Sequence, residues 1–435
     1  MFGFSGKQQG ILRLTWIAFF LTFVAWFNMA PFNTTLMAAR GLSRQQIDIL
    51  MICNVALTIP ARIVIGSLVD RHGPRTVFSF LLAFSALSCF LFSLSNDFGE
   101  FLFSRLMMGV AGSGFVVGIK MIAEWFPPEK MGTAQGIYAG WGNFGAAAAA
   151  FSLPPIALLF PQDVGWRVAT AFSGLLCLIW AFVYFKFARD LTEKSKDFEI
   201  GLSVSMEVSS RSDLVLQILT LFPLYGALLA FVWKLSGHPL PLLTSAWALL
   251  LMGALVAVYA YNAYQCVQLD LPRPPEDVPE EKKYEYRRIA ILSLVYALTF
   301  GSELAVVSMF PQFLESTFGL SVAAAGALGS SFAFLNLVTR PSGGWLSDRF
   351  GRRRTLIVLV LGSCVSYGFM GGIGPEWPVW GAIGLAMTCS VFLQAGNGAC
   401  FSMVPLIRKD LTGKMAGLAG AYGNVGAVCF LTALS

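Results

Sequence analysis

Two arginines, Arg62 and Arg340, sit inside apolar stretches at matching places in a repeated pattern, 278 residues apart. The segments that follow them, GSLVDRHGPR (66–75) and GWLSDRFGRR (344–353), share Gly, Leu, Asp, Arg, Gly and Arg at the same offset of 278. A second repeat, at an offset of 281, aligns GIYAGWGNFGAAAAAF (136–151) with GLAGAYGNVGAVCF (417–430) and pairs Asn143 with Asn424. A guanidinium presents a permanent positive charge and a rigid fork of donors, and a side-chain amide adds a neutral donor. No acid lies one turn away in sequence from either arginine. Two like charges held close in a low dielectric repel, so the pattern points to a small anion shared between them. Pairing with an acid and snorkelling are the bland alternatives. One carboxylate, Glu303 in FGSELAV, lies in another apolar stretch and is a candidate proton carrier; its structural alternative is pairing with a polar neighbour.

The elements that must position these residues are membrane helices. The chain has 435 residues, 56% of them hydrophobic and 12% charged, against about 45–50% and about 25% in soluble domains. Its apolar runs reach the roughly 20 residues a helix needs to cross about 30 Å of hydrocarbon. Thirteen such runs are visible, near 13–39, 45–69, 76–96, 100–126, 133–160, 166–187, 214–234, 241–263, 289–312, 320–346, 355–373, 378–405 and 413–435. The first is too long for a signal-peptide core and reads as a span. The basic clusters at 70–75, 194–196, 282–288, 348–354 and 408–410 are separated by even numbers of spans. Excess Lys and Arg mark cytoplasmic loops, which places these clusters and the N-terminus inside. Even spacing also gives both repeats the same orientation, so the chain reads as two parallel halves with a site near mid-membrane between them. The expected organisation is an N-terminal six-helix half at 1–190, a linker with an extra hairpin at 191–288 (hairpin about 214–263), and a C-terminal half at 289–435 in which five spans are seen.

Depth follows from helical rise. Arg62 and Arg340 each precede the loop aspartates by eight residues, which is roughly 12 Å. Asn143 and Asn424 lie eleven residues past the glycines that open their spans, roughly 16 Å deep. The glycines Gly140, Gly142, Gly145, Gly420, Gly423 and Gly426 read as helix-packing positions that let two backbones approach. Asp70, Arg71, Arg75, Asp348, Arg349 and Arg353 read as a conformational gate of cytoplasmic turns. Lys120 and Glu124 form an i, i+4 pair explained as well by snorkelling as by coupling. The eight cysteines show no CxxC pair and no His at metal-ligand spacing, so no disulfide framework, metal or cofactor is expected. No nucleophile set, metal cluster or phosphate loop is visible, which argues against an enzyme, and the charge pattern argues against nucleic-acid binding.

The GxLxDRxGxR loop in both halves resembles the signature of the major facilitator superfamily, and AGWGNFGA with GAYGNVGA resembles the paired signature of its nitrate/nitrite porter family. The resemblance covers nearly the whole chain. It implies an all-α membrane protein of two pseudo-symmetric six-helix halves, alternating access, and a planar anion held by Arg62 and Arg340. Asn143 and Asn424 match the signature amides. Phe115 and Phe401 match aromatics that sandwich the anion, and Tyr296 and Phe300 match a Tyr and Phe of the seventh core helix. Two departures stand out: the extra hairpin between the halves, and the sequence reaching Ser435 just after the second signature, which leaves the last core helix unseen.

Moving a monovalent anion into a negative interior costs about 2.3 kcal/mol per 100 mV. Coupling to two or more protons would offset this, as would electroneutral exchange of nitrate for nitrite. Tyr296, Phe300 and Glu303 share one helical face, which favours a proton route. The expectation is therefore a monomeric, multi-pass transporter of the plasma or inner membrane that takes up nitrate, and nitrite, with protons. Its alternatives are a nitrate/nitrite antiporter and, more remotely, a non-transporting anion sensor.

Overall fold

A computed structural model describes residues 3–191, 205–208, 210–237, 243–270, 283–320 and 322–434. The helices are α1 (Gly6–Phe27), α2 (Asn33–Arg40), α3 (Arg44–Ala56), α4 (Thr58–His72), α5 (Pro74–Leu94), α6 (Phe98–Met108), α7 (Gly114–Trp125), α8 (Met131–Ala157) and α9 (Gln162–Phe187). They continue with α10 (Arg211–Ser236), α11 (Ser245–Asp270), α12 (Tyr286–Phe318), α13 (Val322–Phe334), α14 (Asn336–Phe350), α15 (Arg352–Met370), α16 (Val379–Phe401) and α17 (Thr412–Leu434). Among the described residues, 10 helical stretches are long and apolar enough to cross a membrane. Ten is fewer than the thirteen runs expected: α8, the α13–α14 pair and α17 are not among them, and these are the helices that carry the glycine-rich repeats and Arg340.

Local chemistry sets the boundaries. Ser5 and Ser43 open α1 and α3 with reciprocal capping boxes to Gln8 and Gln46, which satisfies donors that have no partner in the first turn. The two DRxGxR turns reverse the chain at Gly73 (φ 82°) and Gly351 (φ 94°), a backbone region that glycine enters without steric penalty. Pro74 then starts α5 at a position where its missing N–H is harmless. Breaks at Leu57, between α3 and α4, and at Leu335, between α13 and α14, fall at corresponding places in the two halves. They set Arg62 and Arg340 at corresponding places in α4 and α14.

The halves meet along two symmetric crossings, α4 against α17 and α8 against α14, while α8 packs on α1 and α17 on α12 within each half. The repeated glycines make these approaches possible. A Cβ on Gly140 would lie 2.7 Å from the Asn336 carbonyl, and one on Gly420 would lie 3.2 Å from Arg62 Cδ. On the other side of the same helices, Gly142 abuts Phe19, Gly145 the Phe20 carbonyl and Gly426 the Ala297 carbonyl. A Cβ on Gly423 would lie 2.7 Å from both Tyr296 and Phe300. The same helices therefore need small residues on two faces, which explains why so many poor helix formers recur there.

The extra hairpin, α10 and α11, lies outside the repeat. Its first helix packs on α12 and α17, where the Tyr422 hydroxyl donates to the Thr220 carbonyl at 2.6 Å and the Thr220 and Tyr286 hydroxyls are 2.7 Å apart. The linker residues Ser205 and Met206 are buried, and the Ser205 carbonyl accepts from Lys414 Nζ at 2.9 Å.

Candidate functional site

Both arginines are 1% exposed. From α4, Arg62 donates through Nε to the Gly112 carbonyl (3.3 Å) and through Nη1 to the Gly420 carbonyl (2.5 Å). Its guanidinium carbon lies 5.7 Å from the Phe115 ring centre and 5.6 Å from that of Phe300. From α14, Arg340 donates through Nε to Asn336 Oδ1 (2.6 Å), and its guanidinium carbon is 5.3 Å from the same Phe300 ring. Both cations thus address one aromatic ring, within cation–π range, and Tyr296 lies within electrostatic reach of both.

The two differ in compensation: no acid lies one turn away in sequence from either arginine, but one reaches Arg340 from another helix. Arg340 Nη2 forms an ion pair with Glu303 Oε2 at 3.0 Å, both side chains being almost fully buried. Glu303 also accepts from Asn336 Nδ2 (2.8 Å) and Asn397 Nδ2 (2.6 Å). Among the described residues, Arg62 has only neutral acceptors. By formal charge, Arg62, Arg340 and Glu303 together sum to one positive charge.

Aromatic rings wall this cluster. Phe115 and Tyr296 are parallel (3°) with centroids 6.2 Å apart, and Tyr296 stacks on Phe300 at 4.9 Å. Phe401 stands edge-on to Phe115 and to Tyr296, each at 4.5 Å. All four rings are buried.

The signature amides are not equivalent. Asn424 is fully buried, and neither its Nδ2 nor its Oδ1 has a hydrogen-bond partner. It lies one turn beyond Gly420, whose carbonyl takes Arg62. A buried amide left without partners carries a desolvation penalty of about 1–3 kcal/mol per group. Asn143, by contrast, is half-buried and donates to the Ala139 carbonyl of its own helix at 2.8 Å. In this conformation that donor is occupied.

At the end of the bundle bearing the DRxGxR turns, the two aspartates reach across the interface. Asp70 accepts from the backbone N–H of Gly413 (2.9 Å) and Lys414 (2.8 Å), at the start of α17. Asp348 accepts from Gly132 N (3.0 Å), Thr133 N (2.8 Å) and Thr133 Oγ1 (3.0 Å), at the start of α8. Each carboxylate satisfies unpaired donors of a helix N-terminus in the opposite half and complements its dipole. The basic members of the turns behave differently from the expectation. Arg75 binds within its own half, its Nε donating to the Phe185 carbonyl and its backbone N–H to Asp190. Arg349 lies over Trp345 and Phe350, Arg353 is exposed, and Arg71 is half-exposed. The cross-half contact is made by Arg352, which donates to the Pro128 carbonyl and pairs with Asp348 at 3.4 Å.

Lys120 is the residue that sequence reasoning misread. It is buried and does not snorkel. Its buried ammonium pairs with Asp70 at 2.9 Å and donates to the Lys409 and Asp410 carbonyls of the other half, each at 3.1 Å. Glu124 accepts from Leu191 N at 2.9 Å. Asn336 and Asn397 were also missed. The visible signal was a polar amide one turn before Arg340 and another inside the apolar run QAGNGACF.

Residues 15–271 and 292–434 match the Major Facilitator Superfamily. Two cyanobacterial proteins, each described as the nitrate/nitrite transporter NrtP, align with the whole chain. The one from Nostoc punctiforme is 43% identical over 88% of its length, and the one from Picosynechococcus is 41% identical over 86% of its length. Among solved structures, the transporter FucP in an outward conformation superposes with a TM-score of 0.65 at 13% identity, covering 98% of this chain and 91% of that one. That likeness concerns the fold.

Proposed function

The chain belongs to the nitrate/nitrite porter family of the Major Facilitator Superfamily, and from that membership we propose that it takes up nitrate, and nitrite, by proton-coupled alternating access. It is a multi-pass membrane transporter and not an enzyme. The anion would lie between Arg62 and Arg340, against Phe300, with Phe115, Tyr296 and Phe401 as its walls and the Asn424 amide as a further donor. The observation that carries this reading is the arrangement of the two guanidiniums: both face one ring, and one of them lacks a counter-charge. Asn143 would join when its helix moves.

The direction of coupling follows from the Arg340–Glu303 pair. An arriving anion and the Glu303 carboxylate compete for Arg340, and a proton on Glu303 ends the competition. The empty site, with Glu303 ionised, carries one positive charge. The loaded site, with an anion added and Glu303 neutral, carries the same. One proton per anion, fewer than the two or more expected above, already cancels the charge moved, so the membrane potential imposes no penalty on uptake; a second proton would add the potential as a drive. An exchanger needs no internal counter-charge, because it never returns empty. A symporter does need one, since two uncompensated buried guanidiniums would hold the empty carrier back.

Asp70, Asp348, Lys120 and Arg352 would form the gate on the cytoplasmic side, sealed in the present conformation, with Arg71, Arg75, Arg349 and Arg353 in supporting or orienting roles. The N-terminus would be cytoplasmic and the protein a monomer. Proteoliposomes without internal nitrite or nitrate, given an inward proton gradient, test the reading. Accumulation of labelled nitrate is expected. Uptake that requires internal nitrite or nitrate would replace symport by exchange, and binding without flux would make the protein a sensor.

A further inference from the structure

The hydrogen bonds behind Glu303 are confined to one half of a pseudo-symmetric pair. The offset of 278 that relates Arg62 to Arg340 puts Thr58 opposite Asn336, and the offset of 286 that relates Phe115 to Phe401 puts Ala111 opposite Asn397. Around Arg62, burial of a guanidinium is managed with the Gly112 and Gly420 carbonyls and aromatic faces alone. Around Arg340 there is instead a chain of polar side chains: Thr299 Oγ1 to Asn397 Oδ1 (2.6 Å), Asn397 Nδ2 to Glu303 Oε2 (2.6 Å), Asn336 Nδ2 to Glu303 Oε1 (2.8 Å), and Arg340 Nε to Asn336 Oδ1 (2.6 Å). Every member is 4% exposed or less. Asn336 and Asn397 therefore do more than bury an arginine.

We infer that Asn336 and Asn397 are positioning residues that hold the Glu303 carboxylate on Arg340 as a tethered stand-in for the transported anion, and that release Arg340 by exchanging donor for acceptor when Glu303 takes up a proton. The inference rests on the proton-coupled reading above and deepens it. A carboxylate, like nitrite or nitrate, is a planar oxyanion and makes the same demands on a guanidinium fork. An amide suits the second state because it carries an acceptor oxygen beside its donor nitrogen. A proton entering from solvent adds to one carboxylate oxygen, and the new O–H donates to an amide oxygen of Asn336 or Asn397. The ion pair with Arg340 breaks, and the anion takes the vacated Nη2. The amide that turns gives up its Nδ2 bond to Glu303 and the bond its oxygen accepted, from Arg340 Nε at Asn336 or Thr299 Oγ1 at Asn397; the only covalent change is the new O–H. The charged and titratable groups facing Glu303 are Arg340 from α14, Tyr296 from α12 and Tyr367 from α15, with Arg62 from α4 facing Tyr296 and the shared Phe300 ring.

The test is the pH profile of net nitrate uptake into proteoliposomes, normalised to its maximum. Asn397→Leu removes one of three donors that favour the ionised carboxylate, so proton capture becomes easier. The alkaline midpoint of uptake should then move up by about one pH unit. Thr299→Val deletes only the hydroxyl behind Asn397 and should move the midpoint the same way by less; it carries the test if Asn397→Leu fails to reach the membrane. A lower rate with an unmoved midpoint in both variants overturns the inference and leaves the amides as packing. Glu303→Gln is measured alongside. If it keeps the wild-type pH profile, the proton role of Glu303 itself fails. If it flattens the profile while the other variants leave the midpoint in place, only the positioning role falls.

Discussion

Replacing Glu303 by Gln keeps the shape of the side chain and removes the charge that balances Arg340. The two groups meet at 3.0 Å with almost no solvent access. Deleting one member of a buried pair costs about 3–5 kcal/mol, because the other is left uncompensated. In the proposed mechanism this burden falls on the empty carrier alone, since in the loaded carrier the anion occupies Arg340. Relaxation and the hydrogen bond that Gln can still accept would recover part of it. About 1.4–2.8 kcal/mol would remain, which corresponds to a 10–100-fold fall in the nitrate Kd. The same energy would slow return of the empty carrier, so net proton-driven uptake should collapse while nitrate/nitrate exchange persists. Calorimetric titration of purified protein reads the Kd, and paired uptake and counterflow assays read the two transport modes. A Kd that stays put or weakens, together with intact pH-driven uptake, would refute the reasoning.

Asp70→Asn removes the charge behind two cross-half hydrogen bonds to Gly413 and Lys414 and behind the Lys120 pair. Charge-assisted hydrogen bonds contribute about 1.5–3 kcal/mol, so the population with this end open should rise about 10–100-fold. Accessibility of a cysteine placed beside Gly413 measures that rise, and unchanged labelling would count against the gate. Gly140→Leu places a side chain where even a Cβ would lie 2.7 Å from the Asn336 carbonyl. It should abolish transport in protein that still folds, whereas Gly226→Ala, which meets nothing within 4 Å, should transport normally.

Much of the fold was legible because membrane helices announce themselves by length, and because two offsets, 278 and 281, tie the halves together residue by residue. The arginines and both glycine-rich repeats could be read for the same reason. The Arg340–Glu303 pair could not. It joins α12 to α14 across 37 residues, and one chain gives no measure of how two helices face each other. Lys120 was misread for a related reason: its ammonium reaches main-chain carbonyls 289 and 290 residues away, and a carbonyl leaves no mark in a sequence. The two amides differ in a way that identical signatures conceal. Asn143 is satisfied by its own helix, and Asn424 is left with nothing in a sealed interior.

A double-mutant cycle on nitrate binding, using Arg62→Lys, Arg340→Lys and the double variant, tests most directly whether both guanidiniums hold one anion. Lysine keeps the charge and loses the bidentate fork. If one anion bridges both side chains, each single change should weaken binding about 10–100-fold and the double change little further, giving an interaction energy above about 1 kcal/mol. Losses that simply add, to within about 0.5 kcal/mol, would mean that the two arginines serve separate surroundings, and the shared site would have to be abandoned.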